Sequence, residues 1–207
     1  GSTSAPAYAK TDGSGNVSQE GAVANDYNIK WDGSTLTLKD AYITKYVNEG
    51  NSAINGTAIG VANSSGNAEL TIQLEGSNTV SASTGVHVYS SSGTATLSIT
   101  GSGSLNASGN MNGIKVQSNS NNAALAINNA KVTATSESGI GVSVQAGNSS
   151  DASLTVAGGS LTTSGRKGIL FPEGNPSLDV SDSAIVRASG GIASGTNEND
   201  PVAPRGV

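Results

Sequence analysis

Residues 125–147, LAINNAKVTATSESGIGVSVQAG, hold three short apolar runs of period two, separated by turn residues. Leu125 and Ile127 alternate with small residues, Val132 and Ala134 do so after an Asn-Asn turn, and Val142 and Val144 do so again after a turn containing Gly139. Apolar side chains at every second position mark a strand with one buried face. No run has helical spacing.

The block recurs along the chain. LTL at Leu36 returns as LTI at Leu70, LSI at Leu97, LAI at Leu125, LTV at Leu154 and LDV at Leu178, with steps of 34, 27, 28, 29 and 24 residues by subtraction. Second strands recur at Ile43, Val80, Leu105, Val132, Leu161 and Ile185. Third strands recur at Ile59/Val61, Val86/Val88, Ile114/Val116, Val142/Val144 and Ile169/Phe171, with an echo at Ile192. Self-similarity at such a period is the sequence mark of a stacked repeat architecture. Strands that return to the same place each turn stack in parallel, about 4.8 Å apart.

The fold expected is therefore all-β: a single-stranded right-handed parallel β-helix of about six coils, three strands per coil, with an N-terminal cap. Unequal coils separate it from the shorter, stricter hexapeptide repeat of the left-handed form. Composition agrees, since 28 glycines supply turns and aromatics amount to only 3% of residues, as suits a thin core of small side chains. Solenoid ends expose strand edges and need capping. Residues 1–33, with Tyr8, Tyr27, Trp31 and a Gly-rich TDGSGN turn, read as tether and cap, residues 34–194 as the β-helix, and residues 195–207 as a tail or linker.

Several function classes are disfavoured. The formal charge of −5 argues against nucleic acid as a ligand. No apolar run reaches transmembrane length, so membrane insertion is not expected. The chain has no cysteine, and its Ser/Ala/Pro-rich start resembles the tether of an exported protein, so a secreted or surface-attached location, within a longer multidomain chain, is expected.

Three groups of side chains are candidates for a site. Tyr42, Tyr46, His87, Tyr89 and Lys115 lie at or beside outward strand positions, and aromatic faces with convergent polar groups are what sugar recognition uses. His87 is expected on the solvent surface, with Lys115 stacked beside it one coil on. Asp12, Ser14, Asn16 and Glu20 place oxygens at near-alternate spacing in a Gly-rich turn, a pattern suited to calcium as well as to an ordinary hairpin. Arg166 and Lys167 with Asp179 and Asp182, one coil later, would supply a base and acids to a polysaccharide lyase. No catalytic residue is assigned. Two outward lanes of small polar residues are also expected, Thr37, Thr71, Ser98, Ala126 and Thr155 on the first strands and Thr44, Ser81, Asn106, Thr133 and Thr162 on the second.

The segments WDGSTLTLKDAYI, LTIQLEGSNTV, GVHV, LSITGSGSLNASG and GIKV resemble the secreted right-handed β-helix proteins of gut Firmicutes and clostridia grouped as carbohydrate-binding cell-surface proteins, over residues 28–193. The resemblance implies a pectate-lyase-like shape, and partners among calcium and acidic polysaccharides or host and cell-surface glycans. The turns of this chain lack the dense Asp clusters of a calcium-dependent uronate binder, so no binding residue is carried over. The function expected is a non-enzymatic surface module for polysaccharide binding or adhesion. The alternatives are a lyase or hydrolase and a purely structural spacer.

Overall fold

The computed structural model describes residues 5–46 and 52–194, and the expected tether at residues 1–4 and the tail at 195–207 lie outside them. The chain winds as a parallel β-solenoid of about five turns. The first face stacks strands Thr35–Lys39, Ala68–Glu75, Ala95–Thr100, Ala123–Asn128, Asp151–Ala157 and Asn175–Ser181 in parallel. Six strands per face enclose five rises, hence a turn count slightly below the six coils expected.

Stacking follows side-chain identity. Leu70, Leu97, Leu125, Leu154 and Leu178 form one inward ladder, and Ile72, Ile99, Ile127, Val156 and Val180 the next. Like side chains at one strand spacing keep the same rotamer and pack without gaps. Along most of their length these ladders are fully buried.

Second and third strands were expected to be separate in every coil. In two coils they instead run on as single long strands, Ser77–Ser90 and Ser104–Ser118, with a register shift between Gly109 and Asn112 where the chain bends. A bulge bends a strand without ending it. Elsewhere the faces are built from separate strands such as Lys131–Ser136 and Ile140–Gln145.

The register corrects the expected alignment at three places. Leu36 stacks on Ile72 rather than Leu70. Val186, not Ile185, stacks on Leu161, leaving Ile185 outward and 46% exposed. Leu105 stacks on Asn78, while Val80 stacks on Ala107. Asn78 takes an inward, buried place because its amide serves the turn: Oδ1 accepts from Ala41 N–H (2.9 Å), and Nδ2 donates to the carbonyls of Glu75 (3.0 Å) and Ser104 (3.2 Å). An Asn78→Leu substitution keeps the volume but takes the acceptor from the Ala41 N–H and a donor from each of the two carbonyls, so urea denaturation should register a loss on the order of 2 kcal/mol. An unchanged midpoint would mean the amide contributes nothing net.

The outward lanes shift with the register. Thr71, Ser98, Ala126 and Thr155 do form one lane, but it starts at Thr35, not Thr37, and ends at Asp179. On the second face the expected lane divides in two, one running Tyr42, Thr79, Asn106, Thr133, Thr162 and Arg187, the other running Ser81, Ser108, Thr135, Ser164 and Ser189.

The N-terminal end carries a cap, as expected, whose antiparallel pairing covers the first face. Strand Ile29–Trp31 pairs with Thr35–Lys39, and Ala7–Thr11 pairs in turn with Ile29–Trp31. Ile29 packs against the core, Tyr8 and Tyr27 rings meet at 5.3 Å, and Lys39 Nζ sits 5.8 Å from the Tyr27 ring centroid.

Candidate functional site

The five candidate binding residues fall in three places. Tyr42 heads the outward lane of the second face and is 41% exposed. Tyr46 lies at the N-terminal mouth, beside a cleft of about 510 Å³ lined mainly by apolar groups of Val17, Ile29, Leu36, Ile43 and Ala58. His87, Tyr89 and Lys115 share the third face, which is thus the only place where the described residues bring several of the five together.

Register defines two lanes there. One runs Gly60, His87, Lys115, Ser143 and Leu170, and the other runs Ala62, Tyr89, Gln117 and Gln145. The second lane is a polar ladder with an aromatic ring at one end. Asn119 Nδ2 donates to Tyr89 Oη (2.9 Å), Gln117 Nε2 donates to Asn119 Oδ1 (2.8 Å), and Gln145 Nε2 donates to Glu173 Oε2 (3.3 Å). These bonds hold the amides in place across consecutive coils and leave further donors and acceptors directed to solvent.

Gln117, Asn119, Gln145 and Glu173 were not among the sequence candidates. For Gln117 and Gln145 a signal was present: VHVY, IKVQ and VSVQ each place one large polar or aromatic residue after the second inward apolar residue, a position that alternation turns outward.

His87 overturns its expectation. Its ring occupies an outward register position between inward Val86 and Val88, yet the residue is only 5% exposed, and Nε2 is buried with no hydrogen-bond partner. The neighbouring coil explains this. Gly60 beneath it has no side chain, and the short 3-10 turn Ser52–Ile54 lies against the strands carrying both residues, with Ile54 so close over Gly60 that an added methyl would touch it. Tyr89 meets the imidazole edge-on at 6.2 Å. Burial, and secondarily the Lys115 charge, push the His87 pKa down to about 4. Lys115 is itself lowered by burial.

The Asp12 group is a turn, not a cage. Asp12 Oδ1 accepts from Ser14 N–H (2.8 Å) and Asn16 N–H (2.9 Å), and Oδ2 accepts from Asn16 Nδ2 (2.7 Å). The Asn16 side chain first, and then these backbone donors, hold the carboxyl below its ordinary value. Glu20 bonds through its backbone N–H to Ser18 Oγ. Among the described residues no group of three or more His, Cys, Asp or Glu side chains converges.

Two members of the lyase set, Lys167 and Asp179, lie on different faces. Lys167 opens the third-face strand Lys167–Phe171, whereas Asp179 lies outward on the first face beside Thr155. Asp182 follows in the turn after that strand, at φ 53°. Among the described residues no helix is long and apolar enough to cross a membrane. Comparison with family models, curated proteins and solved structures finds no match to this chain.

Proposed function

We propose that this protein is a non-enzymatic extracellular or cell-surface module that binds polysaccharide along its third face, through the ladder of Tyr89, Gln117, Asn119 and Gln145. The observation that carries this reading is the alignment of one aromatic ring with hydrogen-bonded amides across consecutive coils. A polymer of sugar rings needs an apolar face to stack on and a row of donors and acceptors beside it, and a solenoid repeats such a row at fixed spacing. The resemblance to carbohydrate-binding β-helix proteins supports the same class of ligand, on fold-level analogy alone.

The test is a plant and host glycan array probed with purified protein, with calcium and with chelator, followed by titration of the strongest hit. Tyr89→Ala should weaken binding at least about tenfold, as loss of an aromatic anchor does. Because the ladder carries no carboxylate pair, the same binding is expected with chelator. A blank array, or a hit indifferent to Tyr89→Ala and Gln117→Ala, would move the protein to the structural-spacer reading.

A further inference from the structure

We infer that the C-terminal end of the solenoid is a self-pairing edge that joins two copies of this chain through strand Asn175–Ser181. The two ends of the molecule differ. On the first face of the N-terminal end an antiparallel strand covers Thr35–Lys39. At the other end, strands Asn175–Ser181, Ile185–Ser189 and Ile192–Ser194 are each the last in their stack, with no further strand beyond them among the described residues. Their inward side chains are correspondingly uncovered: Val180 is 43% exposed, and Leu178, Val186 and Ile192 are only partly buried, although their counterparts one coil earlier are sealed. A bare edge of unpaired N–H and C=O groups templates the addition of another strand.

The hydrogen bonds identify which groups are free. Asn175 N–H donates to Ser150 C=O, and Ser181 C=O accepts from Gly158 N–H, so odd-numbered residues of this strand face the preceding coil. The even ones, Pro176, Leu178 and Val180, present their backbone groups to the open end. An antiparallel second copy related by a two-fold axis fits this pattern with Leu178 opposite Leu178 of the second copy. The two leucines exchange both bonds, and each Pro176 carbonyl accepts from the N–H of Val180 of the other copy. Pro176 has no N–H, so the Val180 carbonyl of the other copy stays unpaired and the pair closes through four backbone bonds, two between the leucines and one at each Pro176 carbonyl. Side chains agree as well. Pro176, Leu178 and Val180 point inward and meet their counterparts in a continued core, while Asp179 falls opposite Ser177 of the second copy, avoiding the Asp179–Asp179 encounter of a register centred on Asp179. The same patch on both partners makes a closed, isologous pair rather than a fibre.

The chain has no cysteine, so introduced thiols report cleanly. In the inferred register Ser177 and Asp179 of the second copy form a non-hydrogen-bonded antiparallel pair with Cα atoms about 4.5 Å apart, within disulfide reach. Identical positions sit on the diagonal, about 7–8 Å apart, beyond it. The full chain carrying Ser177→Cys, mixed with the full chain carrying Asp179→Cys under mild oxidation, should therefore give at least about tenfold more covalent dimer than either variant alone or than Ser98→Cys on the middle of the same face. Sedimentation of the unmodified chain should show a concentration-dependent dimer that Val180→Lys abolishes while circular dichroism keeps the strand signal. A mixture that cross-links no faster than the single variants would overturn the inference. So would a chain that dimerises only once residues 195–207 are removed, because its own tail would then occupy the edge.

Discussion

Gly113→Ala should cost roughly 3 kcal/mol or more of folding stability and lower the thermal midpoint by several degrees, although it adds a single methyl group to a residue of ordinary backbone conformation. A Cβ at Gly113 would lie 2.6 Å from Thr135 N, 2.7 Å from Gly141 O and 2.9 Å from Ala107 O. All three are backbone atoms held by the stacking of coils, so none can step aside. The position is one rung of a glycine ladder. A Cβ at Gly85 meets Gly113 O at 2.6 Å, one at Gly141 meets Gly168 O at 2.6 Å, and one at Gly168 meets Ser189 O at 2.7 Å. The corner between second and third faces is thus so tight that each coil's backbone rests on the space where its neighbour's Cβ would be. Space, not a left-handed φ, requires glycine here, since none of these four residues has positive φ. The control is Gly13→Ala, where nothing lies within 4 Å of the added carbon, and the change should be within about 0.5 kcal/mol of neutral. Thermal or urea denaturation of the two variants decides the matter. Equal midpoints would show that the corner yields and that the ladder is not a packing constraint.

The second large effect is a pH dependence centred on His87. Its imidazole titrates at about 4 in the folded chain against 6.5 for the unperturbed group. Between those values the unfolded chain takes up a proton that the folded chain refuses, so stability is complete above the unfolded pKa and falls as the solution is acidified from about pH 6.5 to pH 4. Each tenfold difference in proton affinity between the two states is worth about 1.4 kcal/mol, so the loss amounts to roughly 3 kcal/mol across that window. The cause is chiefly burial, for Nε2 has no partner to receive or supply a proton bond, and the Lys115 ammonium in register one coil on adds repulsion. His87→Leu should therefore flatten the profile between pH 6.5 and 4, and Lys115→Met should lessen its slope. Urea titrations at several pH values measure both. The exposed carboxyls Asp12 and Asp32, each held below the ordinary carboxylate value by turn hydrogen bonds, lose their protection only below that value of 3.8 and so do not blur the window. A His87→Leu chain that loses stability over the same range as the parent would sink the assignment.

The ladder on the third face was half legible in the sequence. Alternation about Val86 and Val88 correctly set His87 and Tyr89 on the outward side, and the one-coil period correctly stacked Lys115 beside His87. It missed Gln117 and Gln145 because a glutamine after a valine has no distinction until the coils are aligned and it falls beneath a tyrosine. It also took outward for exposed. In a strand those differ whenever an insertion folds back over the sheet, and the extra residues of the first coil, the source of its 34-residue step, include the turn that lies against His87. Asp12 shows how local geometry uses such a group. Its neighbours in sequence are ligands in appearance, but short-range geometry spends both carboxyl oxygens on the hairpin itself.

Period, strand polarity and most rungs of the inward ladders were legible in the sequence alone, because a parallel stack asks each coil only to repeat apolar residues at every second position, and that demand is local. What needed the tertiary structure were the quantities set between coils: the register that puts Asn78 on Leu105 and Val186 on Leu161, the merging of second and third strands through the bend at Gly109, the burial of His87 and the edge at Asn175–Ser181 that no other described strand covers. A two-residue shift, as between Val80 and Asn78 under Leu105, keeps every side chain on its own face, so the apolar pattern is blind to it, and at Ile185 and Val186 two adjacent apolar residues leave the pattern unable to choose which one points inward.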